Sequence, residues 1–504
     1  MREEKQTPKP TPPRGNLRGA QRRHSSHFLS VLSRAEALLL HGGDSIKEAL
    51  ILFDSESRNI EHGQIWAASQ AGTDDACATL CSRYADAGAQ VLSLRQRPLE
   101  SIRWQESALS AARLLKTRIP EGVILVRLGM AYSDLGELPR AFEYYEQGLT
   151  IAREIGDRSL EATALGNLGR ACAATGQMPR AIEFYEMALE IDCEIKDRRG
   201  ESVDLRNLGS AHAVTGQMQR AIELFEQALV IDRETGDLIG ERTTLSDLGN
   251  AYAAMGEWQR AIENIERGLI AARQIGDRRA EGTMLGNLGA VYGALNETQR
   301  AIAFYEQSLI VTRETGDRRG QGNALGNLGA AYADLRDWPR AIEFYEQRLV
   351  IAREIGDRHG EAEALGNLGN AYTALTALPR AIECYENALA IDREINDRRV
   401  EGVVLGNLGL AYRDLGQIQR AIECYEMAIA IGRAIGDRRG EGTALFNKGL
   451  ALYQTDKSED AILHARAALE IFEQIESPYT IRVEAQLGRW RAAGDREKLD
   501  RTED

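Results

Sequence analysis

No apolar run in this 504-residue chain approaches the ~18 residues needed to cross a bilayer. The N-terminus also lacks the apolar core of a secretory signal. Six cysteines, Cys77, Cys81, Cys172, Cys193, Cys384 and Cys424, are scattered without a framework. That argues against a disulfide-stapled scaffold and fits a reduced, cytoplasmic compartment. Basic charge is in deficit, and a formal net charge of −14 speaks against broad nucleic-acid binding, which needs a basic face to neutralise phosphates. Catalytic signatures are missing too. The seven histidines form no H-E-x-x-H, and neither a G-x-S-x-G elbow nor a G-x-x-x-x-G-K-[ST] phosphate cradle occurs. Cys77 and Cys81 stand at i, i+4 with no second Cys/His pair near them in sequence, too little for a zinc site. Gly320-x-Gly322-x-x-x-Gly326 has one residue too many for a dinucleotide fingerprint. The expectation is a chain with no cofactor, no metal and no enzymatic activity.

What is present is repetition. A forty-residue text recurs in phase from about Glu121 to Glu470, and the pair Leu-Gly marks it at Leu128-Gly129, Leu168-Gly169, Leu208-Gly209, Leu248-Gly249, Leu288-Gly289, Leu328-Gly329, Leu368-Gly369 and Leu408-Gly409. A ninth copy keeps Gly449 behind Lys448. A fixed period of this size is the signature of a solenoid in which each unit stacks on its neighbours. Hydrophobic content of 43% with 27% charged residues is globular.

Each unit reads as two helices. Ala364, Leu365, Leu368, Ala371, Tyr372 and Leu375 form one apolar stripe of period 3.6, and Ala381, Ile382, Tyr385, Ala388 and Leu389 form another. Gly176, Gly216, Gly256 and Gly416 stand where the first helix should close on a left-handed residue; Asn296 can substitute there, whereas Arg336, Thr376 and Asp456 fit less well. Pro179, Pro339 and Pro379 suit the opening turn of the second helix. Gly156-Asp157, Gly356-Asp357 and Asn396-Asp397 end the second helix and offer an Asp cap to the next unit.

On Leu365, Leu368, Gly369, Tyr372, Ala381, Tyr385 and Ala388 the unit resembles the tetratricopeptide repeat. Leu stands where that family usually has Trp, the closing Pro is missing, and the unit is longer than the usual ~34 residues. The longer form is similar to the repeats of kinesin light chain and of the Leu-Gly-Asn adaptor proteins. The resemblance implies an all-α, right-handed superhelical solenoid of antiparallel helix pairs, with about nine clear repeats and one degenerate, that binds an extended peptide or protein segment in its concave groove.

Along the chain, residues 1–25 read as a disordered basic tail (Pro8, Pro10, Pro12 and Pro13 with seven Lys/Arg). Residues 26–73 read as an N-terminal helical segment, with His27–His41, a helix capped by Asp44 through Phe53, and Ser55–Ala71. Residues 74–115 read as a degenerate repeat with Trp104, Ala108 and Leu109 near the aromatic and small positions. The array itself covers 116–475. Pro478 breaks the helix, 476–494 holds a capping helix, and 495–504 is a charged, frayed tail. The segment bearing Glu56, Asn59 and Trp66 resembles, more loosely, the linker that joins the ATPase core to the repeat sensor in bacterial STAND signalling proteins. That likeness implies an alternative role as the sensor arm of such a system, with a STAND-type ATPase as partner and the motor encoded elsewhere.

In the family, the first helix lines the concave wall. The resemblance then places an asparagine row inward at Asn167, Asn207, Asn287, Asn327, Asn367, Asn407 and Asn447, with Arg127 and Asp247 as exceptions. An amide has donors and an acceptor, so such a row can hold a peptide backbone without demanding a side chain; the other reading is that each Asn bonds a neighbouring helix. Just before the row stand Gly166, Gly286, Gly326, Gly366 and Gly406. A mid-helix Gly costs about 1 kcal/mol relative to Ala, so these glycines imply close approach of a ligand or a recent duplication. The site after the conserved Gly varies and includes Arg170, Asn250 and Asn370. Arg127, Arg170 and Arg206 are expected to make the N-terminal end of the groove positive, and Asp334, Glu363 and Asp414 its later part acidic, unless these charges pair with each other. The Asp-Arg-Arg turns, such as Asp277-Arg278-Arg279, are read as solvated salt bridges. The partner expected is protein or peptide, with no nucleic acid and no membrane.

Overall fold

The computed structural model describes residues 14–41, 45–95 and 98–503. They form 24 helices, and no strand occurs among them. The chain divides into two compact units, Met1–Met255 and Gly256–Asp504. Within each unit antiparallel helix pairs follow one another in sequence order, the all-α repeat solenoid that the periodicity implies.

One repeat of the second unit explains the rest. Its first helix is Arg358–Ala374 and its second is Leu378–Glu394, with Arg398–Asp414 opening the next repeat. Asp357 caps the first helix by accepting the backbone N–H of Gly360 at 3.0 Å, as Asp157 does for Leu160 and Asp397 for Val400. The helix closes through paired bonds from Thr376 N to Thr373 O and from Ala377 N to Tyr372 O, both 2.9 Å. This closure demands a left-handed residue, and the fold imposes it whatever the side chain. Gly176 lies at φ +75°, Asn296 at +60°, Arg336 at +59° and Thr376 at +57°. Proline occupies the first turn of the second helix at Pro179, Pro339 and Pro379.

The two helices of a repeat meet through a glycine and an aromatic ring. A Cβ added to Gly369 would lie 2.5 Å from the ring of Tyr385, and the same holds for Gly329 and Tyr345, Gly289 and Tyr305, and Gly209 and Phe225. Tyr385 is buried in one cluster with Leu365, Ala381 and Ala388. Consecutive repeats are joined by a second device. Glu361, buried in the first turn of its helix, receives Arg353 at 2.7 Å and Arg358 at 2.5 Å, and Arg358 reaches on to Glu394. Glu161, Glu281 and Glu441 are held by two arginines in the same way. The Asp-Arg-Arg turns carry solvated ion pairs, as expected: Arg278, Arg398 and Arg438 stay exposed, while the glutamate each of them meets is buried.

The ends depart from the sequence expectation. Residues 14–25 are not a tail, because a helix runs from Arg14 to His41. It is held by Ser25, which donates to Gly63 O at 2.9 Å while its own carbonyl accepts from Tyr84 Oη at 2.7 Å. Residues 1–13, Gly42, Gly43 and the proposed cap Asp44 lie outside the described residues. Ser45–Gln70 is one helix where two were expected. The degenerate repeat is formed by Asp75–Ala87 and Pro98–Leu114 but carries an extra short helix, Ala89–Arg95. At the other end Tyr479–Glu503 is a single helix, so the segment expected to fray continues it. Val483, Leu487 and Trp490 bury its apolar side, with Trp490 stacked on Tyr453.

Two glycines of one helix should respond oppositely to the same change. Gly369→Ala should lower stability by about 1–3 kcal/mol, because the new methyl overlaps the Tyr385 ring. Gly366→Ala meets nothing within 4 Å and should raise it by up to about 1 kcal/mol through helix propensity. Urea denaturation followed by circular dichroism checks both; equal effects would refute the close contact. Thr376→Gly should stabilise by about 1–2 kcal/mol in the same assay, by relieving the left-handed strain.

Candidate binding surface

The first helices of successive repeats leave hollows between them, and the asparagine row lines these hollows. In the first unit a cavity of about 300 Å³ is bounded by Gly166, Asn167, Arg170, Asp192, Asp204 and Asn207. In the second unit one of about 310 Å³ takes in Gly286, Asn287, Asn327, Arg348 and Glu363, and another of about 320 Å³ takes in Gly406, Asn407, Leu410 and Asn447. The glycines before the row are what opens them. Around an added Cβ at Gly366 or Gly406 there is empty space, and at Gly286 the nearest atom is 3.6 Å away.

The amides are not equivalent. Asn167 is buried and donates to Thr163 O at 2.8 Å while accepting from Arg170. Asn370 Oδ1 accepts from Tyr385 Oη at 2.7 Å and from Asn407 Nδ2 at 3.2 Å. Asn207 bonds Asp204. Asn250 and Asn287 have interactions of their own. Asn327 is exposed, and Asn367 and Asn447 are half-buried. Asn407 thus ties two helices together, Asn167 and Asn207 bond within their own helices, and Asn327 and Asn447 line hollows.

The expected charge gradient is corrected by pairing. Arg206 does not face the hollow as a free cation. Its Nη1 lies 3.2 Å from Asp232 Oδ1 and donates to Ser202 at 2.9 Å. Arg127 pairs with Asp86 at 2.9 Å, Glu363 with Arg348 and Asp414 with Arg413. Sequence reasoning missed the opposite feature, two buried carboxylates in the wall of the first-unit cavity. Asp192 is 6% exposed and Asp204 is 5% exposed. Burial pushes the Asp192 carboxyl up to about 6, with Asp197 and Glu201 adding repulsion. Burial and the neighbouring Asp192 push Asp204 up to about 8, against the opposing bond from Asn207. In the second unit burial and Asp397 push Asp392 up to about 6; it is 1% exposed and both its oxygens lack a hydrogen-bond partner. The signal was available in the text, because Asp192, Asp232 and Asp392 share one register position on an otherwise apolar face.

The paired cysteines Cys77 and Cys81 are both buried. Burial pushes the Cys81 thiol up to about 12 and also raises that of Cys77, whose sulfur lies 3.5 Å from Asp74 Oδ2. Among the described residues no group of three His, Cys, Asp or Glu is placed to hold a metal ion, and no helix is long and apolar enough to cross a membrane.

The raised carboxyls make folding take up protons. The unfolded carboxyls titrate near 4, and the folded ones near 6 and 8, so their contribution is fully present in acid and is lost as pH rises through the folded values. Between those limits each retained proton costs about 1.4 kcal/mol of stability per pH unit. Asp204→Asn should therefore gain on the wild type by roughly that slope from pH 5 to pH 7.5. Urea midpoints measured across this range check it, and parallel profiles would refute the burial of a protonated Asp204.

The tetratricopeptide repeat profile matches residues 120–194, 201–274, 241–314, 320–394 and 401–474, together more than half of the chain. No curated protein matches it by sequence. Among solved structures, the chain is similar to a signal transduction ATPase with numerous domains (STAND) with a tetratricopeptide repeat sensor from Pyrococcus horikoshii, at 14% identity and TM-score 0.51, covering 91% of this chain and 68% of that one. It is also similar to the quorum sensor NprR from B. thuringiensis, at 13% identity and TM-score 0.49 over 72% of this chain and 99% of that one. A third is a kinesin light chain of nearly identical TPR-like repeats from Podosopora anserina, at 23% identity and TM-score 0.34 over 38% of this chain and 95% of that one. With its helix pairs, Leu-Gly columns and glycine-on-ring contacts in place, the chain belongs to the tetratricopeptide repeat family.

Proposed function

We propose that this chain is a non-catalytic scaffold of the cytoplasm that holds an extended segment of another polypeptide against the face formed by its first helices. The observation that supports this reading is the pairing of missing Cβ atoms with half-buried or exposed amides. Gly286 and Gly406 open hollows whose walls present Asn287, Asn327, Asn407 and Asn447. A backbone lying there can approach closely and exchange amide hydrogen bonds without a sequence-specific side chain. Asn167, Arg170, Asn207, Asn250, Asn367 and Asn370 extend the same face along their own repeats. Leu410 and Val403 add apolar area at one hollow. The reading takes in a protein or peptide partner and neither nucleic acid nor membrane, in keeping with the net charge of −14.

A second reading makes the chain the sensor arm of a STAND-type ATPase system. The overlap with the sensor-bearing STAND protein along 91% of this chain favours it. A gene for an ATPase lacking its own repeats beside the gene for this chain would support that role, and the two readings share one binding face.

Pull-down from the source cell with wild type against Asn287→Ala, Asn327→Ala and Asn367→Ala combined should show a retained polypeptide lost from the variant. Its affinity should fall about tenfold or more, the equivalent of one or two hydrogen bonds. Equal retention by both proteins would exclude this face.

A further inference from the structure

The forty-residue period lets one repeat serve as the control for another. In the repeat holding Asp232, the carboxylate is neutralised from within. Ser202 and Thr244 donate to it, the latter at 2.6 Å, and the Arg206 guanidinium lies over it. Forty residues earlier the same carboxylate position is Asp192, but Ser202 is replaced by Ala162, Thr244 by Asp204 and Arg206 by Gly166. The acid remains and a second acid has been added, while each donor and the cation are gone. Among the described residues no hydrogen bond or ion pair reaches the Asp192 carboxylate, which is 6% exposed and lines the cavity of about 300 Å³ beside Gly166. The Gly166 position is open on that side, with Asp204 Oδ1 3.4 Å from where a Cβ would stand.

Elsewhere the chain shows what belongs in such a space. Over Gly326 the place is taken by the guanidinium of Arg348, which comes from the second helix of its repeat and pairs with Glu363. Asp392 repeats the deficit in the second unit, with Ala362, Val404 and Gly366 at the donor and cation positions and both carboxylate oxygens unpartnered.

We infer that the hollow between Gly166, Asp192 and Asp204 is a receptor for a guanidinium, supplied by an arginine side chain of the bound polypeptide. This deepens the scaffold reading and rests on it for the source of the arginine. The ligand's guanidinium takes the place that Arg206 fills one repeat later. Its planar fork matches two carboxylates at once, which a lysine ammonium matches as a point charge only. Arg170, tied to Asn167, is the one basic side chain lining this cavity.

The test has two arms on the full chain. In the first, no partner is needed. Gly166→Arg should raise the unfolding temperature at pH 8.5, Gly166→Gln should not, and the gain should vanish when Asp192→Asn and Asp204→Asn are added. N-acetyl-arginine methylamide should raise the wild-type unfolding temperature in the same way, with its citrulline counterpart inert. Stabilisation by calcium chloride instead, by the lysine analogue equally, or by nothing at all would overturn the inference.

In the second arm, a random dodecapeptide display library is selected on wild type. Arginine should be enriched at one position, and selected peptides should bind Gly166→Arg about tenfold or more weakly. Peptides that lose binding to the asparagine variants but show no arginine preference would overturn the guanidinium receptor and leave the scaffold reading standing. A library yielding no binder would count against the scaffold reading, and the first arm would still decide the receptor.

Discussion

The whole array depends on a contact with no room in it. In repeat after repeat the ring of a second-helix aromatic lies where the Cβ of a first-helix glycine would be, as between Gly169 and Tyr185 or Gly409 and Tyr425. This sets the distance between paired helices and leaves no continuous range of alternatives, because close-packed side chains do not deform gradually. The left-handed closures follow from it. Arg336 and Thr376 are bent into a conformation they disfavour because the second helix must return onto the first at that spacing. The aromatic is replaced by Ile265 in one repeat and by Ala465 in the last, where backbone and Ala465 fill the space beside Gly449.

Once the pair is fixed, neighbours are joined by charge as well as by apolar burial. A buried glutamate between two arginines is costly unless it is satisfied at both oxygens, and here it is. Glu281 takes one oxygen to Arg273 and the other to Arg278. These ties use up most of the basic residues that the sequence places at the turns. The same economy reaches into the wall, where Arg206 and Arg348 act as internal counter-ions. The surface charge is therefore much weaker in contrast than the sequence implies, and the notable electrostatics lie in buried acids with no counter-ion.

Those acids give the molecule its asymmetry. A perfectly copied repeat would present the same hollow at every step and could not hold a ligand in one register. Replacing Arg206 by glycine at position 166 and Thr244 by aspartate at position 204 makes one hollow unlike the next. In the proposed scaffold the asparagines would be the general backbone contact, and the variable residues beneath them would set one hollow apart from the next.

The repeat, its period, the two helical stripes, the Asp caps and the positions requiring a left-handed residue are written in the amino-acid text. All of these are local or periodic properties, carried by short spacings such as Leu368 to Tyr372 and Asp357 to Gly360. It also placed the asparagines and glycines on one face. Which charges survive at the surface depends instead on packing between helices, since Arg206 meets Asp232 and Arg348 meets Glu363 across them. Tertiary contacts likewise turned residues 14–25 from an apparent tail into the start of a helix anchored at Ser25, because Ser25 and Tyr84 meet only when distant segments pack. Pairing and burial are set by who ends up adjacent, and a forty-residue period tells where a side chain recurs but not what it will touch.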